Sequence, residues 1–158
     1  MSTVILYSTK YGTAAKCAGL LADMASEEIK AVNIKTAPDF SVEPFETVVL
    51  GASVYVGKIQ PEMTSFCRKN LNLLLTKKLG LFICSGDHSE KGLEYLKLFG
   101  EELHRHAKSK KLFGDEICWE KLNFFEKLAM RMIRKSKVST SDIETGAIED
   151  QAKELLLQ

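Results

Sequence analysis

"VILYSTKYGTAAKCAGLL", residues 4–21, joins an apolar run to a stretch whose apolar residues recur at helical spacing. Val4–Tyr7 reads as a buried strand. Cys17, Leu20, Leu21, Met24 and Ala25 carry the period of a helix from Thr13 to Glu28. Between the two lies a loop in which Ser8, Thr9, Tyr11 and Thr13 place four hydroxyls around Gly12. The strand–loop–helix order, repeated along the chain, decides the fold.

Working outward, Val32–Lys35 predicts a second strand, and Pro38, Asp39 and Pro44 mark a loop. Thr47–Ala52, "TVVLGA", is a β-branched strand that runs into glycine. Pro61 suits the first position of a helix extending to Leu74. Leu79–Cys84 predicts a fourth strand, and a helix spans Gly92 to His106. Lys111–Ile117 is a weaker strand. Trp119–Lys135 is helical in pattern, and Ile148–Leu157 forms a last helix. Strands that are continuous apolar runs, alternating with helices, indicate a parallel sheet covered on both faces. Right-handed crossovers leave few topologies. The expected architecture is α/β: one domain over residues 1–158, a doubly wound, five-stranded parallel sheet in the order 2-1-3-4-5.

At 158 residues the chain can bury a sizeable core. Its 22 Lys and Arg against 21 Asp and Glu leave a net charge of +1. That balance argues against general nucleic-acid binding, which needs a basic excess. It also lacks the acidic surface of a small carrier steered to basic partners. The four cysteines, Cys17, Cys67, Cys84 and Cys118, form no C-x-x-C pair and sit in apolar settings. They read as small hydrophobes in a reducing, cytoplasmic setting, with no metal site indicated. The opening residues read as a strand and not as a secretory leader, and no apolar run has the length of a membrane span.

In a doubly wound sheet, ligands bind beyond the carboxyl ends of the strands, where the order reverses. For the order 2-1-3 that point lies between the first and third strands, where the loop Ser8–Thr13 precedes a helix N-terminus. Backbone N–H groups and the helix dipole favour an anion there. Ser8, Thr9 and Thr13 add hydroxyl donors, Lys10 adds charge, and Gly12 lets the backbone approach closely. The chemistry suits a phosphate monoester, although a Ser/Thr-rich capping turn has the same composition. No G-x-G-x-x-G is present, and no Gly-Lys-Ser/Thr follows, so neither a dinucleotide nor a nucleoside triphosphate is indicated. After the third strand comes "GASVYVGK", Gly51–Lys58, and after the fourth "CSGDHSEKG", Cys84–Gly92. Three small-residue loops converging on one crevice make a pocket for a flat polar ring attached to a phosphate.

These loops resemble those of the flavodoxin-like superfamily, which binds FMN. The T-x-T-G-x-T phosphate loop of flavodoxins falls on Thr9–Ala14, with Tyr11 in place of a small hydroxyl residue and Ala14 in place of the last threonine. The sequence is most similar to the quinone-dependent, flavodoxin-type protoporphyrinogen IX dehydrogenases, through Ser8-Thr9-Lys10-Tyr11-Gly12 and Gly51-Ala52-Ser53-Val54-Tyr55-Val56-Gly57. That family also inserts a basic, aromatic helical segment, matched by "CWEKLNFFEKLAMRMIRKSKVSTSD", residues 118–142. In it Trp119, Leu122, Phe125, Ala129, Met132 and Ile133 share one helical face, and Lys127, Arg131, Arg134 and Lys135 form a basic stripe. Ser85-Gly86-Asp87 instead resembles the Gly-Asp that lines the flavin in ordinary flavodoxins.

The resemblance implies FMN held by Ser8, Thr9, Lys10, Tyr11, Gly12 and Thr13, by Ala52, Ser53, Val54, Tyr55 and Gly57, and by Ser85, Gly86, Asp87 and His88. Tyr55 would stack on the ring. His88 is either a donor to the flavin or a plain loop residue, and no side chain is assigned a catalytic role. The implied activity passes electrons from a reduced substrate, a porphyrin precursor, to a quinone or a redox protein. Residues 119–135 read either as a contact to the inner face of a membrane or to substrate, or as an ordinary surface helix. The sequence leaves the oligomeric state open, a dimer being one form it allows. The alternatives are a flavodoxin-type electron carrier without small-molecule turnover, a flavin-dependent NAD(P)H:quinone reductase, for which no nicotinamide feature is visible, and a structural protein.

Overall fold

The computed structural model describes residues 2–25, 27–85, 90–117 and 140–156. In chain order the elements are β1 (Thr3–Tyr7), α1 (Thr13–Asp23), β2 (Lys30–Asn33), β3 (Thr47–Ser53), α2 (Pro61–Lys69), α3 (Leu71–Leu74) and β4 (Lys78–Cys84). They continue with α4 (Glu90–Glu94), a 3₁₀ turn (Tyr95–Phe99), α5 (Glu101–His106), β5 (Ser109–Ile117), β6 (Thr140–Ile143) and α6 (Thr145–Leu155). The sheet order is β2-β1-β3-β4-β5-β6. The first five strands are parallel and run in the expected order 2-1-3-4-5.

The sheet is covered on both faces, and the period of two along each strand decides which side chain goes where. Val4, Leu6, Val48, Leu50, Leu81 and Ile83 share one cluster with Met63 and Phe66 of α2 and Leu103 of α5. Ile5, Val49, Phe82 and Cys84 point the other way, to Cys17 and Leu21 of α1 and Ile148, Ala152 and Leu155 of α6. β3 lies at the centre, and all seven of its residues are buried. Cys17, Cys67 and Cys84 are buried. Burial pushes the Cys67 thiol up to about 12, so that it stays protonated and acts as a small hydrophobe.

The structure departs from the sequence reading at several element ends. A sixth strand, β6, pairs antiparallel with β5, from Gly114 opposite Ile143 to Ile117 opposite Thr140. Its sequence, "TSDI", is short and polar and carries no apolar run. The helix expected to reach Glu28 stops at Asp23. The helix expected over 61–74 breaks at Asn70, whose Nδ2 donates to the Phe66 carbonyl (2.9 Å). The helix expected over 92–106 is three pieces: α4 gives way to the 3₁₀ turn after Glu94, and Gly100, at φ 123°, separates the 3₁₀ turn from α5. The expected helix over 119–135 lies outside the described residues.

Gly51 is required for packing, not for a turn. A Cβ built on it would enter the ring of Phe82. That ring is itself stacked on Phe113, centroids 4.4 Å apart and 15° from parallel. Gly51→Ala should therefore destabilise the fold by about 2 kcal/mol through overpacking. A urea unfolding curve checks this: its midpoint should fall while its slope stays constant.

Candidate functional site

All five parallel strands end at one edge of the sheet, and the order reverses at β1. The loop after β1 and the loop after β3 therefore meet at that edge. Ser8 continues the ladder, its N–H donating to the Gly51 carbonyl (3.0 Å). Its side chain is fully buried, and its hydroxyl donates to Gln60 Oε1 (2.8 Å). Thr9 Oγ1 accepts the Gly12 N–H (2.9 Å), which closes the loop and leaves the Thr9 hydroxyl proton to donate outward. Gly12 has φ 98°, a left-handed conformation that a side chain would strain. It stands at the N-terminus of α1 as an N-cap residue without a side chain to cap the helix, and the first turn holds no acidic residue. This end of α1 presents amide N–H groups and the positive end of the helix dipole, with Thr13 buried at its first position.

The loop after β3 is a hairpin in miniature. Val54 N–H donates to the Cys84 carbonyl (3.0 Å), which extends the β3–β4 pairing by one residue. Tyr55 and Lys58 then exchange backbone hydrogen bonds of 2.8 and 3.1 Å. Val56 and Gly57 form the two-residue turn, with φ 50° and 71°. Positive φ at both central positions is the type I′ pattern, unusual for a β-branched residue. The turn holds Val56 out in solvent, 80 % exposed, and presents Tyr55 beside it. Tyr55 meets Tyr11 edge to face, with centroids 6.3 Å apart. Lys10 Nζ lies 4.1 Å from the centre of the Tyr55 ring. The two loops thus present an aromatic wall beside an anion-ready helix end.

The residue that locks them together is Gln60, just before α2, which the sequence reading did not single out. Its buried amide accepts from the Ser8 hydroxyl and from the Ser53 N–H (3.3 Å), and donates to the Ser53 carbonyl (3.0 Å). A glutamine ahead of Pro61 looks like an ordinary helix start in sequence. Only the fold shows that it spans two loops. Ser53 Oγ is buried without a hydrogen-bond partner, a polar atom left over at the crevice edge.

The structure brings Ser8–Thr13 and Ala52–Gly57 together. Ala52 is packed in the core, and Val54 packs against it. Ser85 is buried at the end of β4, while Gly86, Asp87 and His88 lie outside the described residues. Among the described residues, no group of His, Cys, Asp and Glu is placed to hold a metal ion, and no helix is long and apolar enough to cross a membrane. Replacing Gln60 with leucine should leave the Ser8 hydroxyl and the Ser53 N–H buried and unpaired. The expected loss is about 2–3 kcal/mol, read as a lower urea midpoint, with faster hydrogen exchange at Ser53.

The sequence matches the family model described as "Flavodoxin domain" over residues 4–144. No curated protein matches it. Among solved structures, oxidised flavodoxin 1 from Bacillus cereus is 18% identical with a TM-score of 0.57, over 71% of this chain and 84% of that one. A flavodoxin, WrbA-like protein from Agrobacterium tumefaciens is 17% identical with a TM-score of 0.57, over 94% and 88%. Rubredoxin oxygen:oxidoreductase from Desulfovibrio gigas is 16% identical with a TM-score of 0.54, and 72% of this chain covers 30% of that one. At such identities the likeness is one of fold.

Proposed function

The chain belongs to the flavodoxin domain family, and from that premise we propose that it is an FMN-dependent oxidoreductase of the protoporphyrinogen IX dehydrogenase type, passing electrons from a reduced porphyrin precursor to a quinone. The observation that carries the cofactor is the end of α1: a left-handed N-cap glycine, Gly12, with no side chain over the backbone, and a first turn without an acidic residue. A phosphate monoester dianion fits it. Thr9 would donate its hydroxyl proton to a phosphate oxygen, with the Thr13 hydroxyl and the first amides of α1 as further donors. Ser8 would act one step back, through Gln60, by holding the loop in place. Ser53 Oγ, buried without a partner, offers a hydrogen bond to a polar group in the crevice. Tyr55 would cover one face of the ring and exclude water from it. When bound, FMN supplies the redox chemistry.

The choice of a substrate-oxidising enzyme rests on where β5 and β6 meet. Ile117 pairs with Thr140 at the carboxyl end of β5. Ile117 and Thr140, the described residues that flank the basic, aromatic sequence 118–139, therefore lie at the edge that carries the cofactor loops. The lysines and arginines of that sequence suit the carboxylates of a porphyrin precursor, and its apolar residues suit a ring system, a quinone, or a peripheral contact with the cytoplasmic face of a membrane. A second reading, an electron carrier without small-molecule turnover, is favoured by the sequence Ser85-Gly86-Asp87.

The deciding experiment adds FMN-loaded protein to protoporphyrinogen IX with a menaquinone analogue and follows porphyrin fluorescence. The proposal expects porphyrin to form well above the uncatalysed rate, and only with both FMN and quinone present. FMN firmly bound with no turnover above background would remove the dehydrogenase and leave the carrier.

A further inference from the structure

The amino ends of the five parallel strands form the edge of the sheet opposite the cofactor loops, and charge is sorted along it. In the sheet order β2-β1-β3-β4-β5, the residues that lead into the strands are Glu27 and Glu28, then Ser2, Glu46, Lys77 and Lys108, and Lys78 is the first residue of β4. Backbone hydrogen bonds hold neighbours side by side. Glu46 N–H donates to the Ser2 carbonyl (3.1 Å), Lys78 N–H to the Glu46 carbonyl (3.0 Å), and Lys108 N–H to the Leu79 carbonyl (2.8 Å). The edge is therefore acidic on the β2 side and basic on the β5 side, and the sign changes between β3 and β4. The chain as a whole carries only +1, so this is segregation and not excess.

The sorted charges are not neutralised within the chain. Glu27, Glu28, Glu43, Glu46 and Lys108 are exposed, and Lys77 and Lys78 are half-buried. Among the described residues, no carboxylate pairs with these three lysines and no cation pairs with these four glutamates. Lys77 Nζ donates instead to a backbone carbonyl, that of Glu43 (2.9 Å). Desolvation, and after it the Lys108 ammonium, holds the Lys78 ammonium below the usual lysine range, as expected where like charges crowd. Lys30, at the start of β2, is a cation on the acidic side, and its ammonium lies over the Phe40 ring, 5.5 Å from the centre. The exposed large apolar residues, Tyr55, Val56 and Leu93, follow the carboxyl ends of β3 and β4 in the chain.

An edge that is half acidic and half basic can be complementary to itself. Set edge to edge about a two-fold axis in the sheet plane, two copies would place acid on acid and base on base. About a two-fold axis normal to the sheet, passing between β3 and β4, the side of Glu43 and Glu46 meets the side of Lys77 and Lys108, twice over by symmetry. We propose that two copies of this chain pair through the amino edges of their sheets about such an axis, acidic half on basic half. Among the described residues no large apolar side chain is exposed there, so the pairing is carried by charge, weak and sensitive to salt. The carboxyl edges face outward at the two ends of the pair, which leaves both crevices open. The pairing does not rest on the flavin reading.

The test is sedimentation velocity over a series of protein concentrations, at about 10 mM and at about 1 M salt. The unaltered chain should pass from monomer to dimer with rising concentration at low salt and stay monomeric at high salt. Lys77→Glu/Lys108→Glu removes the basic half, and Glu43→Lys/Glu46→Lys removes the acid beside the sign change. Each alone should weaken self-association about tenfold or more. An equimolar mixture of the two variants should associate again, and the chain carrying all four changes should pair with itself, which a merely structural effect would not produce. Lys35→Glu/Lys58→Glu, the same charge change at the carboxyl edge, should alter self-association less than about twofold. A monomer at every concentration at low salt would overturn the pairing. If that monomer binds phosphatidylglycerol vesicles through its lysines, the basic half serves a lipid surface instead. A dimer that survives high salt, equal losses in the carboxyl-edge variant, or no recovery in the mixture and the fourfold variant would overturn it as well.

Discussion

The reversal of strand order at β1 is the constraint on which everything else in this molecule depends. From β1 the chain winds outward to β2 on one side, and to β3, β4 and β5 on the other. The loops after β1 and β3 diverge into helices on opposite faces of the sheet: α1 packs on the side of Ile5 and Val49, and α2 on the side of Val4 and Leu6. A gap opens between the two loops at the carboxyl ends of the strands. The crevice is a consequence of winding direction, and the loop residues only decide what it holds.

Holding it in shape falls to one buried amide. Gln60 uses its oxygen twice and its nitrogen once, tying Ser8 to Ser53 across the crevice. A glutamine suits this place because it accepts and donates in one plane. The hydrogen bonds are buried, so the alternative to making them is an unpaired polar group and not a hydrated one. The anion-ready end of α1 and the aromatic wall at Tyr55 are therefore held at a fixed separation before any ligand arrives, which lowers the cost of ordering on binding.

Much of this was legible in the sequence, for identifiable reasons. The five parallel strands are buried on both faces, so each is a continuous apolar run, and their order follows from helix alternation and crossover handedness. The loop Ser8–Thr13 showed itself because hydroxyls and a glycine between strand and helix are a local signal. What escaped were features set by distant partners. β6 is polar and short, and it exists because β5 offers it an edge to pair with. Gln60 has an ordinary sequence setting, and its role appears only when β1 and β3 are side by side. Gly51 read as the place where the third strand runs into its loop, yet its lack of a side chain answers to Phe82 on the next strand. The helix over 92–106 broke at Gly100, where a positive φ overrode an otherwise suitable helical pattern.

The central claim is that the end of α1 binds the phosphate of FMN. The most direct test compares FMN with riboflavin, which carries the same ring and ribityl chain without the phosphate, by quenching of flavin fluorescence in the presence of the protein. Charge-assisted hydrogen bonds to the phosphate predict binding of FMN at least about a hundredfold tighter than that of riboflavin, on the order of two such bonds. Equal affinity for the two, or no quenching by either, would contradict the account.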